Sequence, residues 1–276
     1  MKKKTIGKVF TYLFLGLFLI LAVFPFFWMI STSLKSTDAI FSIPPQLIPK
    51  IFNFDAYKEI WAKGDFLRYF LNSAKVAGLT TLFAMVVSVM AGLGFGRYNF
   101  RGRKVLQLLL LLAQLFPLVI LVTPYYTIMS KLGLTDTHTA LFITYISFVV
   151  PFSVWMLTNY FKALPVELEE AAMIDGCSKV KALIHITVPL AAPGLAATAI
   201  NAFILAWNEF LFAQTFIDSV ALRTLPIGLK TFMGQYTTQW NLLMVGAVVS
   251  TVPVVILFVF LQKHLVSGMT SGAVKS

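Results

Sequence analysis

The sequence predicts an all-α integral membrane protein with six transmembrane helices. Hydrophobic residues make up 58% of the 276-residue chain and the mean hydropathy is +0.84, which is more apolar surface than a soluble domain of this size buries. Six apolar runs are long enough for the helix of about 20 residues that crosses a bilayer. The net charge of +11 therefore indicates basic loops beside anionic membrane lipid, and we expect no nucleic-acid partner.

The apolar runs define the predicted spans in chain order. They are Val9–Ile30, Asn72–Phe95, Val105–Met129, Thr139–Tyr160, Gly194–Phe216 and Asn241–Gln262. The first run follows a basic N-terminus, but its 22 residues exceed the apolar core of a signal peptide, so we expect an uncleaved span. Pro117 and Pro124 should bend or break the third span, because proline removes a helix hydrogen bond.

Three regions follow from these spans. Residues 1–71 hold the first span and an extracytoplasmic segment, residues 72–264 form the transmembrane core with a loop at 161–193, and residues 265–276 form a tail. Six spans put both termini on one side, where 13 Lys and Arg residues lie against nine on the other. We therefore predict that both termini and the 161–193 loop are cytoplasmic.

The 161–193 loop is the longest charged interval in the second half of the chain. Pro165 suits a first helical turn and is followed by three glutamates, which the helix dipole favours there. Gly176 suits the end of that helix because it adopts positive φ without strain. Ser178 can cap a second short helix, which Pro189 should end. The pattern predicts a helix, a turn and a second helix outside the membrane.

The sequence shows no pattern of residues that is typical of catalysis or metal binding. Gly96 and Gly102 do not have the spacing of a phosphate-binding loop, and Arg103 follows where lysine is needed. The three histidines have no metal-ligand spacing, and Cys177 is the single cysteine. We expect no enzyme activity, no cofactor and no metal, so any ATP hydrolysis belongs to another chain.

The fifth span carries the polar groups that could line a pathway. Glu209 is the one acidic residue inside a predicted span, and Asn201 and Asn208 lie seven residues apart on one helix face. Two interpretations remain open for Glu209: it lines a solute pathway, or it lies in the wet outer interface. The spans otherwise carry hydroxyls and amides without a mid-span cation, which favours a neutral, hydroxyl-rich solute.

Small residues four apart mark one face of the second span. They are Ala84, Ser88, Gly92 and Gly96, a stripe that lets two helices pack closely and that we interpret as packing alone.

The loop resembles the cytoplasmic loop of binding-protein-dependent ABC importer permeases. The resemblance rests on Glu170-Ala171-Ala172, then Asp175-Gly176, Ile186 and Pro189, with Val188 where the family has leucine. Further segments are similar to the carbohydrate branch, in particular the smaller permease subunit of maltose and multi-sugar importers: Asn72-Ser73, residues 97–102, Trp207-Asn208-Glu209-Phe210 and residues 268–275. The tail departs slightly at Met269 and Ser271.

The resemblance implies the fold of a type I ABC importer permease and a multi-pass protein of a bacterial plasma (inner) membrane. It implies a homologous second permease, two ATP-hydrolysing subunits and an extracytoplasmic sugar-binding protein as partners. The loop would be a coupling helix that docks on the ATPase through Glu167, Glu170, Ala171, Ala172, Met173, Asp175 and Gly176. Asn201, Asn208 and Glu209 would belong to the translocation pathway.

Three alternatives stay open at this point. A permease for a non-sugar solute such as a polyamine shares the loop motif but not the sugar-like tail. An ion-coupled carrier would need ionisable groups in interrupted helices, and a membrane-embedded enzyme would need a catalytic set that the spans do not show.

Overall fold

We describe the protein from a computed structural model, in which residues 2–62, 65–234 and 236–273 are described. Within those residues the chain is helical, and the single strand-like pairing is a bridge between Met233 and Thr238. The helices are α1 Lys2–Ser33, α2 Thr37–Ile40, α3 Asp55–Ala62, α4 Asp65–Arg97, α5 Arg103–Leu115, α6 Leu118–Lys131, α7 His138–Ala163, α8 Glu167–Ile174, α9 Lys179–Ala182, α10 Val188–Leu190, α11 Ala192–Trp207, α12 Leu211–Phe216, α13 Leu225–Lys230 and α14 Trp240–Ala273.

Five stretches of these helices can cross a membrane by length and composition, and the bent pair α5 and α6 would make a sixth if it counts as one broken span. The six stretches lie where the sequence predicts spans. The pair is bent by 99° at Phe116 and Pro117, because a proline there cannot continue the helix. The expected break at Pro117 is therefore confirmed, whereas Pro124 lies inside α6 without interrupting it.

Two predicted spans have different boundaries in the structure. The fifth is not one helix: α11 ends at Trp207 and α12 begins at Leu211. The sixth continues as α14 to Ala273, well past Gln262. Most of the segment assigned to the tail, residues 265–276, is thus helical backbone, and residues 274–276 lie outside the described residues.

The chain divides into two compact units, and the first comprises Met1–Phe66 with Gly228–Thr251. In this unit the hydroxyl groups of Ser33 and Tyr57 lie 2.9 Å apart. Lys35 is almost fully buried and its Nζ lies 4.3 Å from the centre of the Trp28 ring. Desolvation lowers the pKa of Lys35, since burial disfavours the charged ammonium.

The second unit comprises Leu67–Ile227 with Val252–Ser276. Its α4 and α7 pack through the predicted stripe of small residues. A Cβ at Gly92 would lie 3.0 Å from the Cβ of Leu157, and one at Gly96 would lie 2.9 Å from the Cβ of Phe161. The packing interpretation of the stripe is confirmed, and it brings the end of α4 against the end of α7.

Candidate functional site

The loop after α7 contains the predicted pair of helices. The first of them, α8, begins at Glu167 with Val166 as its N-cap. Pro165 therefore precedes the helix instead of occupying its first turn. Three glutamates still fall in that first turn, where the unpaired N–H groups and the helix dipole stabilise negative charge.

Gly176 ends α8 with a φ of +90°. Its N–H donates to the carbonyl of Met173 at 3.1 Å, and the N–H of Cys177 donates to the carbonyl of Ala172 at 2.9 Å. These two bonds form a Schellman motif, which satisfies the last carbonyls of a helix and requires positive φ at this position. The prediction that Gly176 ends this helix with a positive φ is confirmed.

The second helix of the loop starts as predicted but does not stop as predicted. Ser178 caps α9 by accepting from a backbone N–H at 3.4 Å. Pro189 does not end the helix. Residues Leu183–Thr187 form a π-helical turn, in which the N–H of Val188 donates to the carbonyl of Leu183. The π-helical turn ends just before Val188 and Pro189. Because Pro189 has no N–H to donate, the wider turn accommodates it, and the helix continues through α10.

The seven residues expected to dock differ in their exposure. Six of them lie on the surface of the chain: Glu167, Glu170, Ala171, Met173, Asp175 and Gly176. Ala172 is 8% exposed and faces inward beside Glu169, which is 4% exposed. Residues three apart share one helix face, so α8 has an inward face with Glu169 and Ala172 and an outward face with most of the expected contacts.

Arg97, the last residue of α4, holds this inward face. Its Nε lies 2.6 Å from Oε1 of Glu169 in an ion pair whose side chains are 4% and 5% exposed. Its Nη2 donates to the carbonyl of Leu164 at 3.1 Å, and the hydroxyl of Thr187 donates to Oε1 of Glu169 at 2.8 Å. We call these four residues the Arg97 clasp. The clasp ties the start of the loop and both of its helices to one membrane helix.

Sequence reasoning did not find the clasp. It counted Arg97 with the other cations of a basic loop, and it named Glu167 and Glu170 as docking residues but gave Glu169 no role. The available signal was the spacing of Glu169 and Ala172, which places a carboxylate on the same face as a small residue. A second contact supports the same junction, since Nζ of Lys179 lies 4.3 Å from the centre of the Tyr98 ring.

Glu209 lies in the break between α11 and α12 and is half-buried. Its carboxylate accepts from the N–H groups of Phe212 at 2.8 Å and Ala213 at 3.1 Å, and from the hydroxyl of Tyr145 at 2.6 Å. The carboxylate therefore caps the N-terminus of α12, where N–H groups would otherwise lack partners. Sequence reasoning weighed a pathway against a wet interface and did not foresee a cap.

The two asparagines of the same helix occupy different surroundings. Asn208 is exposed at the break, whereas Asn201 lies deeper in α11. The Oδ1 atom of Asn201 is buried and has no hydrogen-bond partner among the described residues. Asn201 borders a cavity of about 240 Å³, together with Gln114, Phe116, Phe148 and Phe152. Amides and aromatic rings in one cavity suit a polar solute with apolar faces.

Asn72 and Ser73 fasten the other end of α4 to the 217–225 segment. Nδ2 of Asn72 donates to the carbonyls of Ala221 at 3.0 Å and Arg223 at 2.9 Å, and the Ser73 hydroxyl accepts from the N–H of Leu225 at 2.7 Å. The sequence marked this pair only through a family resemblance, and the structure shows its physical role.

Asp136, in the loop between α6 and α7, connects that loop to Asp218 and Ser219 in a similar way. Its carboxylate accepts from the hydroxyl and N–H of Ser219 and from the N–H of Asp218. These hydrogen bonds, the hydroxyl of Ser219 first, lower the pKa of Asp136, because they stabilise the ionised form.

The folded chain is thus a multi-pass helical membrane protein with a rigidly held helical loop, the architecture of a type I ABC importer permease. Residues 84–271 match the family described as "Binding-protein-dependent transport system inner membrane component". This covers more than half of the chain, and the chain belongs to that family. It is an inner-membrane permease component.

Relatives with assigned names match nearly the whole chain. The chain is 35% identical over 275 residues to the inner membrane ABC transporter permease protein YcjP of Escherichia coli, covering 99% of this chain and 98% of the relative. It is 35% identical over 278 residues to the trehalose/maltose transport system permease protein MalG of Thermococcus litoralis, covering 100% and 99%.

A solved structure confirms the fold. A chain of a bacterial ABC transporter involved in the import of the acidic polysaccharide alginate has a TM-score of 0.78 and 22% identity, covering 95% of this chain and 98% of the other. The type I importer permease fold expected from the sequence is therefore confirmed.

Proposed function

We propose that this chain is a permease subunit of an ATP-driven sugar importer, forming half of the translocation pathway and coupling to a separate ATPase subunit. The observation that carries the proposal is the Arg97 clasp. A short helix with an exposed acidic face is fixed to a membrane helix by a buried ion pair, so that a force on the loop reaches the span without deforming the loop.

Docking on the ATPase would use the exposed face of α8. Glu167, Glu170, Ala171 and Met173 lie on that surface, and Asp175 and Gly176 close the helix beside them. Ala172 contributes from the inward face, because a small residue there seats α8 closely against the chain.

The assembly we infer contains a homologous second permease, two ATP-hydrolysing subunits and an extracytoplasmic sugar-binding protein. Both termini and the α8 loop would face the cytoplasm, which the excess of Lys and Arg on that side supports. A further similar structure is that of a bacterial alginate ABC transporter in complex with an alginate pentasaccharide-bound periplasmic protein.

The solute we infer is a neutral oligosaccharide or related carbohydrate. Relatives are named for trehalose/maltose, trehalose, diacetylchitobiose and arabinooligosaccharides. Asn201, Asn208 and Glu209 would belong to the pathway, with Glu209 capping α12 at the helix break beside it. Asn201→Ala should raise the sugar concentration for half-maximal transport while leaving the maximal ATPase rate unchanged, which radiolabelled uptake into proteoliposomes measures.

Coupling is tested by Glu170→Lys and Gly176→Pro in the complete transporter. Both variants should reach the membrane, yet lose sugar-stimulated ATPase activity and uptake, because one reverses charge on the docking face and the other breaks the positive-φ turn. Asp38→Lys is the matched control, since it reverses an exposed acid in the first turn of α2. Normal sugar-stimulated ATPase activity in Glu170→Lys would refute the docking role.

A further inference from the structure

A basic cavity lies where α5 begins, on the same side of the chain as the Arg97 clasp. Its volume is about 510 Å³, and Arg103, Lys104 and Lys162 contribute cations to its lining. No carboxylate is among its eight lining residues. Three cations around one cavity without an acidic neighbour repel each other unless an anion is bound.

The cations of this cavity are available to a ligand. Arg103 uses one nitrogen, which donates to the carbonyl of Tyr98 at 3.2 Å and to Oδ1 of Asn99 at 2.5 Å. Lys104 and Lys162 are exposed, and their side chains make no ion pair or hydrogen bond in the part of the chain that the structure describes. Their ammonium groups can therefore bind an anion without first breaking another contact.

The N-terminus of α5 adds to the attraction for an anion. Gly102 is the N-cap with a φ of +86° and offers no side-chain cap to the first N–H groups of the 13-residue helix. Such N–H groups and the helix dipole favour a phosphate at this position. The helix N-terminus therefore adds to the attraction that the three cations already exert on an anion.

A second cavity adjoins the basic cavity, and its lining combines the apolar residues Leu110, Leu111, Val154 and Trp155 with the polar residues Gln107, Thr158, Asn159 and Lys162. Its volume is about 190 Å³, it shares Gln107 and Lys162 with the first, and it continues between α5 and α7 past Leu110, Leu111 and Trp155. Leu111 is 39% and Trp155 43% exposed. A cationic mouth that continues into a groove with apolar side chains matches a molecule with an anionic head and a hydrocarbon tail.

Thr158 supplies a polar group at the depth between head and tail. It is 3% exposed, it borders the second cavity, and its hydroxyl has no hydrogen-bond partner among the described residues. A buried hydroxyl without a partner costs free energy. The ester carbonyl of a lipid in the groove could accept from it.

We propose that the two cavities form a specific binding site for one anionic phospholipid. The phosphate lies among Arg103, Lys104 and Lys162, the glycerol esters lie near Gln107 and Thr158, and one acyl chain follows the groove between α5 and α7. Basic pockets between membrane helices bind anionic headgroups in this way. A free phosphate would use only the basic cavity, so the groove distinguishes the lipid from it.

The test uses the chain purified in mild detergent with the subunits that accompany it. Native mass spectrometry counts phosphatidylglycerol retained per chain as the lipid is titrated, with phosphatidylcholine as the zwitterionic comparison. We expect one retained phosphatidylglycerol and none of the other lipid. Lys104→Gln and Lys162→Gln should each weaken retention about fivefold, the effect of one cation near an anionic lipid, and together about 25-fold. Lys131→Gln, in the last turn of α6, is the matched control and should leave retention unchanged.

A second arm tests the groove. Trp155→Ala should weaken phosphatidylglycerol retention but leave binding of inorganic phosphate unchanged. Unchanged lipid retention in the double lysine variant would overturn the proposal, as would equal retention of phosphatidylcholine. Full displacement of the lipid by millimolar inorganic phosphate would assign the cavity to a free anion. Loss of a co-purifying subunit with lipid retention intact would assign the basic surface to a protein partner.

Discussion

Glu169 and Glu209 are two carboxylates of this chain that are taken out of water in opposite ways. Glu169 has a cation, since Arg97 lies 2.6 Å away. Glu209 has none in the contacts described, and accepts instead from the N–H groups of Phe212 and Ala213, on the next turn of the same chain segment, and from the hydroxyl of Tyr145. Glu169 is neutralised by a cation that is distant in sequence but adjacent in space, whereas Glu209 is stabilised by nearby N–H and O–H dipoles.

The two sites therefore differ in how far a structural change at each of them spreads. The Arg97 clasp joins segments that are far apart in the chain, so a change there alters how the α8 loop sits on α4. The Glu209 cap mainly stabilises the start of α12, so a change there alters one break in one span. Four predictions test this contrast, and they are given in order of decreasing expected effect.

Arg97→Met should cause the largest loss of stability, about 3 to 5 kcal/mol, because it leaves Glu169 buried without a counter-charge. Thermal unfolding of the purified transporter measures it. Combining Arg97→Met with Glu169→Leu should recover much of the loss, since an apolar pair carries no desolvated charge. If the double variant loses as much as the two single variants together, the buried pair is not the source of the effect.

Gly96→Ala tests whether the clasp depends on the packing of α4 against α7. A Cβ at Gly96 would lie 2.9 Å from the Cβ of Phe161, so we expect a loss of about 1 to 3 kcal/mol from overpacking and weaker sugar-stimulated ATPase activity. Gly94→Ala is the matched control, because a Cβ at Gly94 meets nothing within 4 Å. Similar melting temperatures for the two variants would show that the close approach at Gly96 is not needed.

Glu209→Ala should cost less than the loss of Arg97, about 1 to 2 kcal/mol, because it removes a helix cap without stranding a charge. Glu209→Gln keeps one acceptor and should lose roughly half as much. Tyr145→Phe removes the third hydrogen bond and serves as the control for the cap itself. Thermal unfolding measures all three, and a loss in Glu209→Ala as large as that of Arg97→Met would contradict the contrast.

Asp136 is a third carboxylate, half-buried and held by hydrogen bonds without an ion pair in the contacts described, and its effect should be the smallest. Its pKa is lowered in the folded protein, so its contribution is present above the unfolded value of about 3.9 and is lost as pH falls through the folded value. The melting temperature should therefore fall between about pH 5 and pH 3 by more in the wild type than in Asp136→Asn. Equal slopes in the two proteins would show that these hydrogen bonds add no stability.

The positions of the spans were predictable from the sequence, because twenty consecutive apolar residues have few alternatives to a membrane helix. The break at Pro117 and the end of α8 at Gly176 were predictable for the same kind of reason, since each depends on the backbone of one residue. Pro189 misled the prediction, because a π-helical turn can absorb a missing N–H and nothing in local propensity announces that turn.

The apolar spans, the basic loops and a helical loop with acidic residues in its first turn follow from the sequence alone. The packing of the folded chain turns Glu169 inward rather than Glu167 or Glu170, brings Arg97 to it, and places Glu209 as the cap of a helix in a broken span. The two groups of features differ in the range of the interactions that set them. Hydrophobicity, dihedral preference and capping act within a few residues, whereas an ion pair between residues 97 and 169 exists only after two separate segments have packed.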